Sequence, residues 1–253
     1  IVSPEDADKI VDSIIIKIKG QALYKNRLLM LDIIASNEWK RPIYFTGGAF
    51  GDEDYIWMKD YLQVEGVCYK LTPIKTPVNP ERPYEMGQVN TSTMYPLVKK
   101  WKWGKRGEKE IYYDTESRRN SITYRGNMIR LVDQLIIENE NEKAEEILDL
   151  AMVKMPIEDF GFYTLLIPFI NSYYTIDKKD KAREIFEKIA IKYKENLEYY
   201  SSISDSNKNK YAELIYTDIE RYRSLVDVLI SYEEGEYLES KMKEFNDYLD
   251  LFL

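Results

Sequence analysis

Apolar residues follow two rhythms along this chain, a helical one and a two-residue one, and the switch between them near residue 42 is the most informative point. Leu28, Leu31, Ile34 and Ala35 recur at helical spacing, with Leu29 and Ile33 widening the stripe. Asn37 suits the left-handed position that closes a helix, and Pro42 forbids continuation. Ile43 and Phe45 then alternate with Tyr44 and Thr46, which predicts a short strand with the first pair facing one side. Upstream, Ser3-Pro4-Glu5-Asp6 is a helix-start signal: serine caps, proline fits the first turn, and acids suit the positive end. Ile10, Val11, Ile14, Ile15 and Ile18 keep a helical stripe, yet the β-branched Ile14-Ile15-Ile16 fits equally a strand with Ile14, Ile16 and Ile18 inward. Both alternatives stay open for residues 10–19, and Gly20 ends the segment. Downstream, Asp54 is placed to cap a helix over 55–64 that Gly66 stops, and Val67, Tyr69 and Leu71 alternate as a second strand. Strand, helix and strand in about 30 residues have the size of a βαβ unit, so the two strands are expected to be parallel. Residues 73–83 hold four prolines and read as an extended loop. A helix follows Asn90, carrying Met94, Leu97, Val98 and Trp101.

From about Asp114 glycine becomes scarce and the helical rhythm runs almost to the C-terminus. Glu142-Lys-Ala-Glu-Glu-Ile-Leu-Asp-Leu-Ala151 and Asp180-Lys-Ala-Arg-Glu-Ile-Phe-Glu-Lys-Ile189 look like copies, offset by nearly the period of tetratricopeptide-type helix pairs. In the first copy Ala144, Leu148, Ala151 and Pro156 fall where the second helix of such a repeat has small residues and a stop. Met128, Leu131, Val132 and Leu135 supply the facing stripe. In the second, Phe169, Ile170 and Tyr173 face Ala182 and Phe186, but Ile189 replaces the later small residue and no proline follows. A third pair, 207–232 and 237–251, has the length without the motif. The expected fold is α+β: residues 1–110 form a small α/β unit with a βαβ element, and residues 111–253 form tetratricopeptide-like α-helical repeats.

At 253 residues the chain can bury a substantial core. With 44% hydrophobic and 32% charged residues it is an ordinary globular composition, not a disordered one. A formal charge of −8 and a pI near 5.0 argue against a nucleic-acid surface. The one basic run, 99–106, alternates with Trp101 and Trp103. Histidine is absent, which removes imidazole triads and imidazole metal sites. Cys68 is the single cysteine, so no internal disulfide or multi-cysteine metal site can form. No apolar run approaches the roughly 20 residues that span a bilayer. The chain opens on Ile1 without a methionine or signal-like segment, which points to a piece of a longer protein. No cofactor and no metal are expected.

Gly47, Gly48 and Gly51 invite a phosphate-loop interpretation, but their spacing fits no such loop and Asp52, Glu53 and Asp54 would repel the phosphate. Calcium needs an alternating ligand spacing and a central glycine that those acids lack. Acids stabilising a helix start are the better account. Paired carboxylates for glycoside hydrolysis are spatial, and nothing singles out a pair. The clusters at 138–146 and 233–239 read as solvated helix faces and turns. Twenty-two tyrosines and four tryptophans are the best residual clue, since aromatic faces stack on sugars and on peptide side chains. Core filling is the preferred account of the tryptophans. For Trp39-Lys40-Arg41 the preferred account is a structural corner, with Trp39 mostly buried and Arg41 paired to a carboxylate or to backbone carbonyls. A corner binding an anionic or sugar ligand is the alternative.

Asn37-Glu38-Trp39-Lys40-Arg41-Pro42-Ile43-Tyr44-Phe45, following Leu31-Asp32-Ile33-Ile34-Ala35, resembles the signature of a family of bacterial multi-spanning membrane proteins grouped with protein O-mannosyltransferases. Tyr61-Leu62, Glu65-Gly66 and Tyr69-Lys70-Leu71-Thr72-Pro73-Ile74 match the same pattern in order. The chain is similar to the family's soluble C-terminal part. The resemblance implies that the catalytic carboxylates lie in a membrane domain outside this chain. It also implies an extracytoplasmic, periplasmic-side domain that is not catalytic by itself and whose partners are the membrane domain of its own polypeptide and an acceptor protein or peptide. Asn37, Trp39, Lys40, Arg41, Pro42, Tyr44 and Phe45 are the signature residues that could bind. The rivals are an independent carboxylate-based glycoside hydrolase and a purely structural or oligomerisation domain.

Overall fold

The two-residue rhythm around Phe45 and Leu71 builds a sheet, though not the parallel one that the spacing predicts. In the computed structural model, which describes residues 1–18, 22–46, 57–76, 85–104, 111–233 and 235–252, the strands are β1 (Tyr44–Thr46), β2 (Leu62–Glu65), β3 (Cys68–Leu71) and β4 (Gln88–Val89). Their order is β1-β3-β2-β4. β3 is antiparallel to both β1 and β2, and only β2 and β4 run parallel. Among the described residues there is no βαβ element, because the two strands expected to be parallel, β1 and β3, are antiparallel. Within the span expected as a helix, residues 55 and 56 lie outside the described residues, Lys59–Tyr61 is one 3-10 turn, and Leu62–Glu65 is a strand. Gly66 decides the outcome. Its φ of +68° sits at the first central position of a two-residue hairpin loop, where a type II′ turn requires it. The hairpin buries Leu62 and Val64 completely. The glycine cluster at 47–51 and the acids at 52–54 lie outside the described residues, as does most of the proline-rich stretch.

Register lines up Phe45, Tyr69 and Val64 in one row, with Tyr44, Lys70 and Gln63 in the next. Alternation therefore gives the sheet one apolar face, on which Ile43, Phe45 and Tyr69 pack around buried Met58, Tyr61, Leu62 and Leu71. Helix α1 (Lys25–Asn37) lays Met30 and Ile34 on that core. Helix α2 (Thr91–Lys99) starts at Asn90, whose side chain accepts from the Thr93 N–H at 3.1 Å, and buries Met94 and Val98.

The N-terminal helix signal produces only a 3-10 turn, Pro4–Lys9. The Asp6 carboxylate accepts from Lys9 (2.7 Å), Ser3 (2.8 Å) and Asn90 (3.2 Å), and Lys9 above all holds its pKa below the usual range. The chain then runs extended: Ile10 bridges Ile74, and the Val11 N–H donates to the Pro73 carbonyl at 2.9 Å. Ile14 and Ile16 turn inward while Ile15 is 69% exposed, so these β-branched residues alternate as in a strand, and Ile18 faces out.

Residues Ile1–Gly104 form one compact unit and Lys105–Leu253 a second, so the architecture is α+β. The second unit is helical: α3 (Thr115–Ile137), α4 (Asn141–Lys154), α5 (Ile157–Phe160), α6 (Ile167–Thr175), α7 (Lys179–Ser202), α8 (Asp205–Lys210), α9 (Ala212–Tyr232) and α10 (Glu236–Leu249). Successive pairs α3–α4, α6–α7 and α9–α10 pack as hairpins, and α6 also touches α3, α4 and α9. The first two hairpins share one turn. Asn139 and Asp177 both take φ 60°, a conformation that Asn and Asp tolerate best among residues with a side chain. The Glu140 and Lys178 N–H groups then reach back to the Leu135 and Tyr173 carbonyls, each at 2.8 Å.

Two buried charges brace the helices. Arg125 is fully buried and donates to the carbonyls of Met155 and Gly161, both at 2.6 Å, which ties α3 to the turn around α5. Glu233, expected among solvated acids, is instead 4% exposed. Its two oxygens accept from Arg183 Nε and Nη2 at 2.7 Å each, and one also from Tyr174 at 2.8 Å. Further contacts follow at the same sequence offset, Glu187 with Tyr237 and Lys194 with Glu244, so α7 and α10 run parallel. The Arg183 hydrogen bonds hold the Glu233 pKa down.

Replacing Glu233 by Ala removes the Arg183 and Tyr174 partner together and is expected to destabilise by about 2–3 kcal/mol, discounted for the partly exposed Arg183. Because the folded-state pKa is lowered, this stabilisation is complete above the ordinary carboxylate value of 4.5 and is lost as pH falls through the lower folded value. Thermal melts from pH 7 to 3 should show a shallower acid decline in Glu233→Gln than in wild type; parallel curves would refute the assignment. Tyr222 is fully buried and its hydroxyl has no hydrogen-bond partner among the described residues. Tyr222→Phe is therefore expected to raise stability by about 1 kcal/mol, read as a higher Tm.

Candidate functional site at the corner after α1

The corner that joins α1 to β1 is built by Asn37. Its carbonyl accepts from the Lys40 N–H at 2.9 Å, and its side-chain amide donates to the Arg41 carbonyl at 2.7 Å. Asn37 is still helical; the left-handed positions expected there fall on the next two residues, Glu38 (φ 48°) and Trp39 (φ 58°). Neither is glycine, and each non-glycine residue held there is strained by about 1–2 kcal/mol. Pro42 then delivers Ile43 into the sheet.

The turn props Trp39 at the mouth of a cleft of about 380 Å³. Its walls are Ile14 and Ile16 of the extended segment, Leu31, Ile34 and Ala35 of α1, and Met58 and Leu71 from the core, with Glu38 beside the indole. Trp39 is 40% exposed, so the expectation that it is mostly buried fails. Arg41 is exposed, and its guanidinium has no hydrogen bond or ion pair among the described residues, so the expected protein partner is not there either. The physical reason is the left-handed pair, which turns both side chains outward from the corner. Lys40 is exposed and pairs with Glu38. Phe45 lies on the core, whereas Tyr44 is 48% exposed on the opposite face. The other tryptophans are half-buried: Trp57 lies under the Arg27 guanidinium at 5.1 Å, and Trp101 meets Trp103 edge-on at 5.7 Å.

Glu65, which the sequence marks only as part of the family pattern, has a role that sequence reasoning missed. It accepts from Tyr44 at 2.6 Å and from Gln63 and Lys70 at 3.1 Å each. Desolvation first, and the Glu65 hydrogen bond second, push the Tyr44 hydroxyl up to about 12. Assigning 55–64 to a helix hid this row; the Glu65-Gly66 step was the signal for the hairpin that assembles it. With both oxygens engaged, Glu65 is no free base.

The second unit places Met128, Leu131 and Leu135 of α3, Ala144, Leu148 and Ala151 of α4, and Ala182 and Phe186 of α7 all in its interior, with Pro156 preceding α5. Chemically, the cleft can grip an apolar or aromatic group against hydrocarbon and indole. It offers one carboxylate and no nucleophile or second titratable group among its lining residues, so it holds no acid–base pair. Among the described residues no group of three or more Cys, Asp or Glu could hold a metal ion.

Residues 1–93 match the family described as TMEM260-associated domain 2, a domain associated with a membrane protein. The match covers the corner, the cleft and the whole sheet, and stops at the first turn of α2. No curated protein matches the chain, and no solved structure does. Among the described residues no helix is long and apolar enough to cross a membrane.

Glycine relieves the strain of a left-handed residue, so Glu38→Gly is expected to raise stability by about 0.5–1 kcal/mol. Arg41→Ala, which removes no protein contact seen here, is expected to leave the Tm within a degree or so of wild type. A large drop on Arg41→Ala in differential scanning calorimetry would show that the guanidinium is structural after all.

Proposed function

We propose that this chain is a non-catalytic, extracytoplasmic soluble domain of a membrane-bound protein O-mannosyltransferase-like protein, on the periplasmic side of the membrane. Its work is to position an acceptor polypeptide or a partner near the membrane domain of the same polypeptide. The observation that carries this is the match of residues 1–93 to a domain associated with a membrane protein. The cleft supports it in kind, because an open apolar trough with one exposed indole binds side chains and does not break bonds. The helical hairpins that share a turn 38 residues apart, at Asn139 and Asp177, support a tetratricopeptide-like array, an architecture that offers extended surfaces to polypeptides.

The test is transfer by the full-length protein to a polypeptide acceptor and to a minimal acceptor too short to reach this domain. Ala35→Trp fills the cleft from an exposed helix position. It is expected to raise KM for the long acceptor about tenfold with little change in kcat, and to leave the minimal acceptor unaffected. Equal KM values for both proteins on both acceptors would overturn the positioning role. Turnover of glycosides by the isolated chain, abolished by a single Asp or Glu substitution, would overturn the non-catalytic assignment.

A further inference from the structure

Over residues 28–35 helix α1 carries apolar side chains in most directions around its axis, with Asp32 the one charged residue among them, a pattern close to that of helices covered on several sides. Among the described residues, Met30 and Ile34 are the positions of α1 that pack on the core. No residue of α1 is fully buried. Leu28, Leu29 and Ile33 are 57%, 58% and 55% exposed, and Tyr24, one turn before Leu28, is 67% exposed. The extended segment that shares the cleft with α1 adds Ile15 and Ile18, both facing out. Scattered surface leucines need no explanation, but a cluster of this kind on adjoining elements does.

Charge says what covers it. Residues 10–46, the extended segment through the corner, contain six basic residues, Lys17, Lys19, Lys25, Arg27, Lys40 and Arg41, against three acids, Asp12, Asp32 and Glu38, in a chain whose net charge is −8. Lys17, Lys25, Lys40 and Arg41 are exposed, as are Asp12, Asp32 and Glu38, the last paired with Lys40. Large aliphatic side chains, a tyrosine and a tryptophan with lysine and arginine on the same elements are the combination that rests in the boundary layer of an anionic bilayer, and Asp32, which helical spacing places between Leu28 and Leu29, is the one acid on that face of α1. A two-fold contact between copies through this face would instead set the positive excess against itself.

We propose that the outer face of α1, with Ile15 and Ile18, lies on an anionic lipid surface and holds the first unit against the membrane. Leu28, Leu29 and Ile33 enter the acyl boundary, and Lys17, Lys25, Lys40 and Arg41 meet headgroup phosphates. Trp39, two residues beyond the end of α1, lines the cleft with Leu31, Ile34 and Ala35. This inference rests on the chain being a membrane protein's domain, but it concerns contact with lipid and not the handling of an acceptor.

Flotation of the 253-residue chain with vesicles tests it. Vesicles of phosphatidylcholine with one-third phosphatidylglycerol are expected to bind at least about tenfold more protein than pure phosphatidylcholine. Raising salt to about 0.5 M should reduce that binding severalfold. Leu29→Glu with Ile33→Glu, at exposed positions, is expected to abolish flotation while leaving the Tm unchanged. Lys17→Glu with Lys25→Glu should abolish the preference for phosphatidylglycerol. No flotation of wild type on anionic vesicles, or equal flotation of the Leu29→Glu/Ile33→Glu protein, overturns the proposal. A wild-type dimer by light scattering that the same double variant makes monomeric also overturns it, in favour of a self-interface. Failure here leaves acceptor KM values in the full-length protein untouched, so the two readings fail separately.

Discussion

Two consecutive left-handed residues, Glu38 and Trp39, fix the first unit. They set the angle at which the chain leaves α1, and that angle decides whether Met30 and Ile34 reach the apolar face of the sheet as Ile43 and Phe45 enter it. Backbone strain at non-glycine positions persists only when its surroundings over-determine it. Here the two hydrogen bonds of Asn37 and the Met58–Leu71 core do so. The same strain turns Trp39 and Arg41 outward. The strained turn and the open site thus share residues, since Glu38 and Trp39 both line the cleft.

The second unit solves a different problem, how to stack helix pairs in register. Its local device is the shared turn at Asn139 and Asp177; its long-range device is charge. Glu233 fastens Tyr174 at the end of α6 to Arg183 near the start of α7, from the far end of α9. Lys181 bridges Glu145 and Asp149 of α4 across the neighbouring seam. Buried or half-buried ions contribute little net stability but punish misregister, since a shifted helix leaves a charge without its partner.

What was legible in the sequence follows from the range of the interactions. The helix after Asn90 and the helical segments at 128–135, 142–151 and 180–189 were readable because capping at Asn90 and 3.6-residue periodicity are local; where those helices begin and end was not. The facing of Ile43 and Phe45 was readable from alternation. The failures are non-local. Residues 55–64 carry a usable helical pattern, and the hairpin wins only because Gly66 and the burial of Leu62 and Val64 favour it together. Ser3 and Pro4 announce a helix, yet pairing of Ile10 with Ile74 takes the chain away after two turns. Glu233 reads as one acid in a solvated run because its partner lies 50 residues earlier. At the candidate site the residues 37–42 were marked by their pattern, but the direction in which Trp39 and Arg41 point depends on two φ angles that side-chain identity does not announce.

Helix α1 carries the tension that remains. It is 13 residues long, near the length at which an isolated helix is marginal in water. Its N-terminus has no side-chain cap and no acid in the first turn. Its stability therefore comes from packing, and among the described residues Met30 and Ile34 are what pack it on the core. Removing exposed leucines and isoleucines would simplify that problem, as would a polar residue at Ile33. Their presence makes sense if the other sides are covered where the protein works. The helix, the strained corner at its end and the cleft between them are then held firmest by the same contact that brings the site to its working position. Order at the site and location of the domain become one equilibrium.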